Sequence, residues 1–173
     1  MKTIPSVIAM ALFSLSWTPV VNAEDDSKPM NNIRLGEIIT KLDERAAGQP
    51  GFWRFHIKER EVLLITDEQA DRMRVIAVID KAEALDQKHL FRLMQANFDT
   101  ALDARYAIAK GYLWSAFIHP LSPLTDEQFI SGVAQVVTLV VTYGSTYSSG
   151  AMSFGGGDSG GLIRELLERS KAI

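Results

Sequence analysis

The sequence contains no cysteine among its 173 residues. A chain without thiols forms no disulfide, has no cysteine nucleophile and binds no metal through thiolates. The other common metal ligands are also poorly spaced, because His56, His89 and His119 lie far apart, and residues 67–71 lack the alternating oxygen ligands and central glycine of a calcium loop. We therefore expect no metal site, no cofactor and a domain that is stabilised by packing alone.

An excess of positive charge is also missing. The chain has 18 Lys and Arg residues against 21 Asp and Glu residues, for a net charge of −3. Only Lys2 of these charges lies in the first 23 residues, so the remainder has 17 basic against 21 acidic residues and a net charge of −4. This balance gives no electrostatic reason to expect a nucleic acid or an anionic membrane as partner.

No apolar run is long enough to span a bilayer, but the amino terminus carries a shorter one. Lys2 precedes an apolar stretch at residues 4–17, and the small-residue ending Val21-Asn22-Ala23 is followed directly by an acidic segment. This arrangement is typical of a secretory signal peptide, whereas a membrane span needs about 20 apolar residues. We predict cleavage after Ala23, no membrane span, and localisation in the periplasm or outside the cell.

Helical spacing of apolar residues predicts three helices in the region of residues 31–143. The first has Asn31 or Asn32 as its cap and ends at residues 48–50. The second begins at Asp86 and has its apolar residues on one side and its polar residues on the other. The apolar residues are Leu85, Leu90, Leu93, Met94 and Phe98. The third begins at Thr125, which forms a capping box with Gln128.

Alternation of apolar and polar residues predicts five strands, at residues 53–57, 62–66, 72–79, 104–109 and 112–118. The charged tetrad at residues 58–61 reverses the chain between the first two, and Lys110-Gly111 forms a tight hairpin between the last two. The predicted fold class is therefore α+β, with an antiparallel five-stranded sheet and the element order α-βββ-α-ββ-α.

The flanks of this domain differ from it in composition. Residues 24–30 are polar and contain a proline, which indicates a disordered leader, and residues 144–161 are rich in Gly and Ser, which indicates a flexible linker. Residues 162–173 form a short carboxy-terminal helix. The predicted organisation is thus signal peptide 1–23, leader 24–30, domain 31–143, linker 144–161 and terminal helix 162–173.

One string in the linker matches a catalytic motif. Gly157-Asp158-Ser159-Gly160-Gly161 resembles the nucleophile loop of chymotrypsin-like proteases, whose chemistry needs a histidine base, an orienting acid and an oxyanion hole. A motif counts only in its structural context, and here it lies in a glycine-rich tail. We therefore predict no catalytic residue and no enzymatic activity, and a small serine hydrolase using Ser159 stays as an alternative.

Basic residues recur at alternate positions of the predicted strands, on the side that faces water. Arg54, His56, Arg74 and Arg105 belong to this set, and Trp114 adds an aromatic side chain nearby. A basic stripe in an acidic protein is suited to an acidic peptide segment, although strand faces also carry Arg and Lys for solubility alone. These five residues are the candidate partner-binding residues.

The order of elements resembles the fold shared by type III secretion chaperones of the CesT/Tir-chaperone type and the YbjN-like family. The resemblance covers residues 33–143 and is carried by three stretches, residues 90–98, 106–114 and 124–129. It implies a non-enzymatic homodimer that binds a polypeptide segment of a partner. Secretion chaperones act in the cytosol, whereas this chain carries a predicted export signal, so the resemblance does not imply that its client is a secretion effector.

The predicted function is therefore an exported, chaperone-like module that binds a protein or peptide. A second alternative is a structural envelope component that docks on a partner through its carboxy-terminal helix.

Overall fold

The computed structural model describes residues 28–149 and 160–171, and the predicted signal peptide and Ser159 lie outside them. This part of the chain forms four α-helices and a six-stranded antiparallel sheet. The helices are α1 (Asn32–Leu42), α2 (Gln87–Asp99), α3 (Asp126–Thr142) and α4 (Gly160–Lys171). The strands are β1 (Ala47–Gln49), β2 (Phe52–Ile57), β3 (Arg60–Asp67), β4 (Arg72–Lys81), β5 (Arg105–Ala109) and β6 (Tyr112–Pro120).

The sheet has the order β1-β2-β3-β4-β6-β5, so the α+β class is confirmed but the five-stranded count is wrong. The missed strand, β1, pairs Ala47 with Arg54 and Gly48 with Trp53. A Cβ on Gly48 would lie 2.3 Å from the Phe52 carbonyl oxygen and 2.6 Å from the Trp53 Cα. The glycine that looked like a helix stop is therefore a strand glycine, placed where two backbones approach closely.

Both predicted chain reversals form as tight turns. Lys58 and Glu59 have φ values of 49° and 58°, and Lys110 and Gly111 have values of 53° and 79°. Positive φ at both central residues gives the turn whose twist matches that of the adjoining strands. These turns fix the register of the β2–β3 and β5–β6 hairpins.

Strict alternation along the strands buries one face of the sheet under helices. Its core residues include Trp53 and Phe55 of β2, Val75 of β4, and Leu113 and Phe117 of β6. The longest helix, α3, crosses this face over β3 to β6, while α1 packs on β2. This face holds the main part of the hydrophobic core.

The predicted capping box starts α3. The Thr125 hydroxyl accepts a hydrogen bond from the Gln128 N–H at 3.2 Å, and the Gln128 Oε1 accepts one from the Thr125 N–H at 3.0 Å. The helix is buried from Phe129 through Leu139, with sheet on one side and α4 on the other. Within residues 28–149 and 160–171, no helix combines the length and hydrophobicity that crossing a membrane requires.

The ends of the domain are packed more tightly than predicted. Met30, expected in the disordered leader, is buried, and its N–H donates to the Ser122 carbonyl at 3.1 Å. After α3 the chain turns back on the loop that follows α2. There the Thr100 hydroxyl donates to the Tyr147 carbonyl at 2.7 Å, and the Leu102 N–H donates to the Ser149 hydroxyl at 2.8 Å. The prediction of a flexible linker from residue 144 is therefore wrong for residues 144–149.

Candidate docking surface on the sheet

The face of the sheet opposite α3 presents residues that are half-buried or exposed along five adjacent strands. We call it the open sheet face. It follows from the period-two geometry of strands, since the residues between the buried ones point the other way. Its main members are Phe52, Arg54, His56, Leu63, Ile65, Arg74, Ile76, Val78, Arg105, Ala107, Trp114, Ala116 and Ile118.

The strand register arranges these residues in rows across the sheet. One row runs Arg54, Leu63, Ile76, Ala116, Arg105, with each residue paired to the next. It spans four strand intervals, so the Cα atoms of its two arginines are about 19 Å apart at a spacing of about 4.8 Å per strand. The row thus has an apolar centre and a positive charge at each end.

The positive charges on this face are unequally neutralised. The Arg54 Nε lies 3.3 Å from a carboxylate oxygen of Glu61, on the neighbouring strand. For Arg74 and Arg105, no acidic side chain among the described residues lies within salt-bridge distance, and the Arg105 Nη1 instead donates to the Ala104 carbonyl at 3.1 Å. Two of the three predicted arginines are therefore available for an acidic ligand.

His56 lies on the open sheet face, but its contacts are structural. Its N–H donates to the Asp43 Oδ2 at 2.8 Å, and its ring Nδ1 lies 3.6 Å from the same oxygen. Burial alone would raise the pKa of the Asp43 carboxyl, but hydrogen bonds from the N–H groups of Arg45 and His56 outweigh it and hold that pKa below 3.8. This carboxylate therefore serves to bind the end of α1 to β2.

Trp114 contributes a half-buried ring to the same face. Its Nε1 donates to the Ala109 carbonyl at 2.8 Å, and its ring meets that of Tyr112 edge-on at a centroid distance of 6.1 Å. The hydrogen bond fixes the ring orientation, so the indole presents a rigid apolar surface beside Val78, its partner across the β4–β6 pair. All five predicted partner-binding residues thus share one face of the sheet.

The prediction missed the apolar centre of this face. Ile118 is 61% exposed and Val78 is 46% exposed, while Leu63, Ile65 and Ile76 are half-buried. A signal for them exists in the sequence, because β3 contains the unbroken apolar run at residues 62–65. Such runs are typical of strands that are covered on both faces.

A second apolar surface lies on α2, where much of the apolar side is exposed. Only Leu93 and Ala96 of this helix are fully buried. The rest of its large apolar side chains form an exposed stripe, which we call the α2 stripe: Leu90 (37% exposed), Phe91 (67%), Met94 (68%) and Phe98 (90%). The loop from residue 100 and the β5 edge leave room for only one side of the helix to pack.

Both edges of the sheet are partly closed. At the β5 edge, the Asn97 amide donates to the Tyr106 carbonyl at 3.1 Å and accepts from the Tyr106 N–H at 2.8 Å. At the other edge β1 has only three residues, and Asp43 takes the next free N–H of β2, that of His56. Because these backbone groups are already bonded, the open sheet face offers more docking surface than the edges do.

A shallow groove of about 580 Å³ continues the open sheet face past the start of β5. Its lining includes Arg105 and Ile118 from that face and Glu127 and Ser131 from α3. The Ser131 hydroxyl accepts from the Gln135 amide at 3.2 Å, and this amide also donates to an Asp103 carboxylate oxygen at 3.1 Å. The polar groups of the groove thus serve partly to bind the loop before β5 to α3.

The three histidines do not come together. His89 contacts Asp86 at 2.9 Å, and the His119 Nδ1 lies 2.7 Å from the Pro120 carbonyl oxygen. In the ranges 28–149 and 160–171, no group of three His, Asp or Glu side chains is placed to hold a metal ion.

The fold and this surface define an α+β domain with one helix-covered and one open sheet face. No family model matches the chain, and no curated protein matches it. Among solved structures it is similar to a chain in the "Structure of the HopA1-SchA Chaperone-Effector Complex", with 14% sequence identity and a TM-score of 0.49. The match covers 65% of this chain and 94% of that chain. A likeness at this level concerns the course of the backbone alone.

Proposed function

We propose that the chain is an exported, non-catalytic module that binds a segment of a protein partner on the open sheet face. The observation that carries this proposal is the row of paired residues whose apolar centre ends at Arg105, with Arg74 two positions from Ile76 on the same face of β4. A contiguous apolar patch of several hundred Å² on one surface is characteristic of an interaction site.

The chemistry of this face sets the kind of segment that fits it. Ile76, Val78 and Trp114 provide apolar contact at the centre, while Arg74 and Arg105 have no acidic partner in the described parts of the chain. An apolar segment flanked by Asp or Glu matches both the apolar centre and the two arginines. Its apolar part contacts the centre, and each carboxylate neutralises a guanidinium that is already held on a strand. The chain as a whole is acidic, so this basic face is a local exception that favours acidic segments over basic ones.

Reversing the charge of Arg74 tests the docking surface. In pull-downs from periplasmic extract, we expect the parent to retain a polypeptide and Arg74→Glu to lose most of it, because the glutamate repels an acidic segment. Lys41→Glu is the matched control, since it makes the same charge change on an exposed residue of α1. Equal retention by all three proteins, or no retained polypeptide, would contradict the proposal.

We also propose that the α2 stripe mediates a homodimer. Phe91, Met94 and Phe98 together expose about 450 Å² per copy if each side chain offers about 200 Å² in full, so pairing two copies buries about 900 Å² from these residues alone. Residues that adjoin the α2 stripe add to this buried area and bring it close to the range of stable protein interfaces. Light scattering should show a dimer for the parent and a monomer for Phe98→Asp, and a monomeric parent would refute the proposed homodimer.

The absence of catalysis is part of the proposal. Ser159 lies outside the described residues, so the geometry of a serine hydrolase site is untested. Peptidase and esterase assays of the parent and of Ser159→Ala decide the matter: activity in the parent that the substitution abolishes would favour the hydrolase alternative.

A further inference from the structure

The helix α3 has an apolar surface on the side that faces away from the sheet. Gly132 lies against the Phe117 ring and therefore faces the sheet. Because a helix turns by about 100° per residue, Ile130, Ala134 and Val137 point in roughly the opposite direction. All three are nevertheless buried, with exposures of 0%, 0% and 1%. An element other than the sheet must cover them.

Of the described helices, α4 has the most extensive contact with α3, and it also packs on α1. Leu166 is fully buried in this contact, and Leu162, Ile163 and Leu167 pack on the core while staying partly exposed. These residues recur at the spacing of one face of a helix. The surface formed by α1 and α3 is thus a seat for an amphipathic helix, and we call it the α4 seat.

Two polar contacts hold α4 in a defined direction on this seat. The Lys58 Nζ lies 2.7 Å from the Glu165 Oε2, and the Arg169 Nη1 donates to the Leu42 carbonyl at 3.3 Å. The first places an acid beside the β2–β3 turn, and the second places a cation at the carboxyl end of α1, where the helix dipole favours it. The Arg169 Nη2 also contacts the Glu165 Oε1, at 2.8 Å, which joins the two contacts.

Most of the described core residues belong to elements other than α4. Of its residues only Leu166 belongs to the fully buried set, whereas α3 alone supplies seven apolar core residues from Phe129 to Leu139, not counting Gly132. The ion pair between Lys58 and Glu165 is half-exposed, with side-chain exposures of 53% and 36%. Ten residues, 150–159, separate α4 from the domain that it covers. The helix therefore has the features of a bound ligand that is tethered to its site.

We propose that the α4 seat is a helix-binding site and that α4 is its intramolecular, exchangeable occupant. The partner that fits the seat is an amphipathic helix with paired apolar residues four apart, a glutamate directly before the buried leucine and an arginine three residues after it. Such a helix competes with α4, so the chain's own helix keeps the site closed until the partner is present. This inference is independent of the open sheet face.

The test uses the full chain with a protease site placed within residues 150–159, cut after folding. The probe is a fluorescently labelled peptide of residues 160–173. We expect the cut protein to bind the probe saturably, and the uncut protein to bind it at least tenfold more weakly, because tethering gives α4 a local concentration of the order of millimolar. The circular dichroism spectrum of the cut protein must match that of the uncut protein, which shows that the domain stays folded.

Peptide variants separate a built site from non-specific association. We expect Leu166→Ala in the probe to weaken binding at least tenfold, and Arg164→Ala, at an exposed position, to leave it unchanged. In the protein, Lys58→Glu should weaken the normal probe, and a Glu165→Lys probe should restore binding to that variant. The inference is overturned if the cut protein unfolds, if it stays folded but binds no probe, or if Leu166→Ala binds equally well.

Discussion

Replacing Gly132 by alanine tests how closely α3 packs on the sheet. A Cβ at this position would lie 2.5 Å from the Phe117 Cδ1, 2.6 Å from its Cε1 and 2.9 Å from its Cγ. Ordinary contact begins at 3.4 Å, so ring atoms have to move by about 0.9 Å (3.4 less 2.5). The ring is 5% exposed and stacks on His119 at a centroid distance of 5.9 Å, which leaves it little room.

Two opposing effects set the magnitude. Alanine in a helix interior is favoured over glycine by about 1 kcal/mol, while overpacking a core costs about 1–3 kcal/mol. Because the overlap involves three atoms of one buried ring, we place the overpacking cost in the upper part of its range, at about 2–3 kcal/mol. Subtracting the gain of about 1 kcal/mol leaves an expected loss of about 1–2 kcal/mol in the free energy of unfolding, which lowers Tm by about 3–6 °C for a domain of this size.

Urea and thermal unfolding followed by circular dichroism measure this loss. The control is Gly161→Ala in α4, where a Cβ meets nothing within 4 Å and stability should stay the same or rise. Phe117→Leu replaces the ring by a smaller side chain, so Gly132→Ala should lose less unfolding free energy in that background. The double-mutant cycle should therefore show coupling. The reasoning is refuted if Gly132→Ala equals or exceeds the parent in stability, or if the cycle shows no coupling.

Three further predictions concern single side chains, each measured by urea unfolding. Burial raises the pKa of Asp43 less than the hydrogen bonds from Arg45 and His56 lower it, so these bonds contribute stability that is fully present above the ordinary pKa of 3.8 and is lost as the pH falls through the lower folded-state pKa. Asp43→Ala should therefore cost about 1–3 kcal/mol at pH 6 and progressively less as the pH is lowered below 3.8, and a constant difference would contradict this. The Ser115 hydroxyl is fully buried without a partner in the described ranges, so Ser115→Ala should leave stability unchanged or raise it by up to about 1 kcal/mol, and a clear loss would reveal an undetected partner. Glu59 has a φ of 58°, so Glu59→Gly should stabilise the turn by about 1 kcal/mol, and an equally stable or less stable variant would contradict this.

The features that the sequence predicts well are those encoded by neighbouring residues. The capping box of Thr125 and Gln128 and the Lys110-Gly111 hairpin each depend on residues within one turn of one another, and both form as expected. The strand alternation also places Arg54, Arg74 and Arg105 on one face, because the period of two is a property of the backbone. Local chemistry therefore predicts the elements and the side each residue faces.

The features that the sequence does not predict depend on contacts between residues that are distant in the chain. Gly48 resembles a helix stop until Trp53 lies beside it in the sheet. The apolar side of α2 resembles a core-facing side, but the domain offers the helix a surface only wide enough for Leu93 and Ala96. A hydrophobic stripe predicts that something covers it, without indicating whether that is the same chain or another molecule.

The position of α4 in the chain has a consequence for how the protein is made. This helix follows every other described element in the chain, yet it packs on α3, which is translated some thirty residues earlier. Until α4 is in place, the apolar surface of α3 on which it packs is exposed to solvent. The packing of α3 is therefore completed only once residues 160–171 are available to it, and aggregation or chaperone capture can compete with folding during that interval.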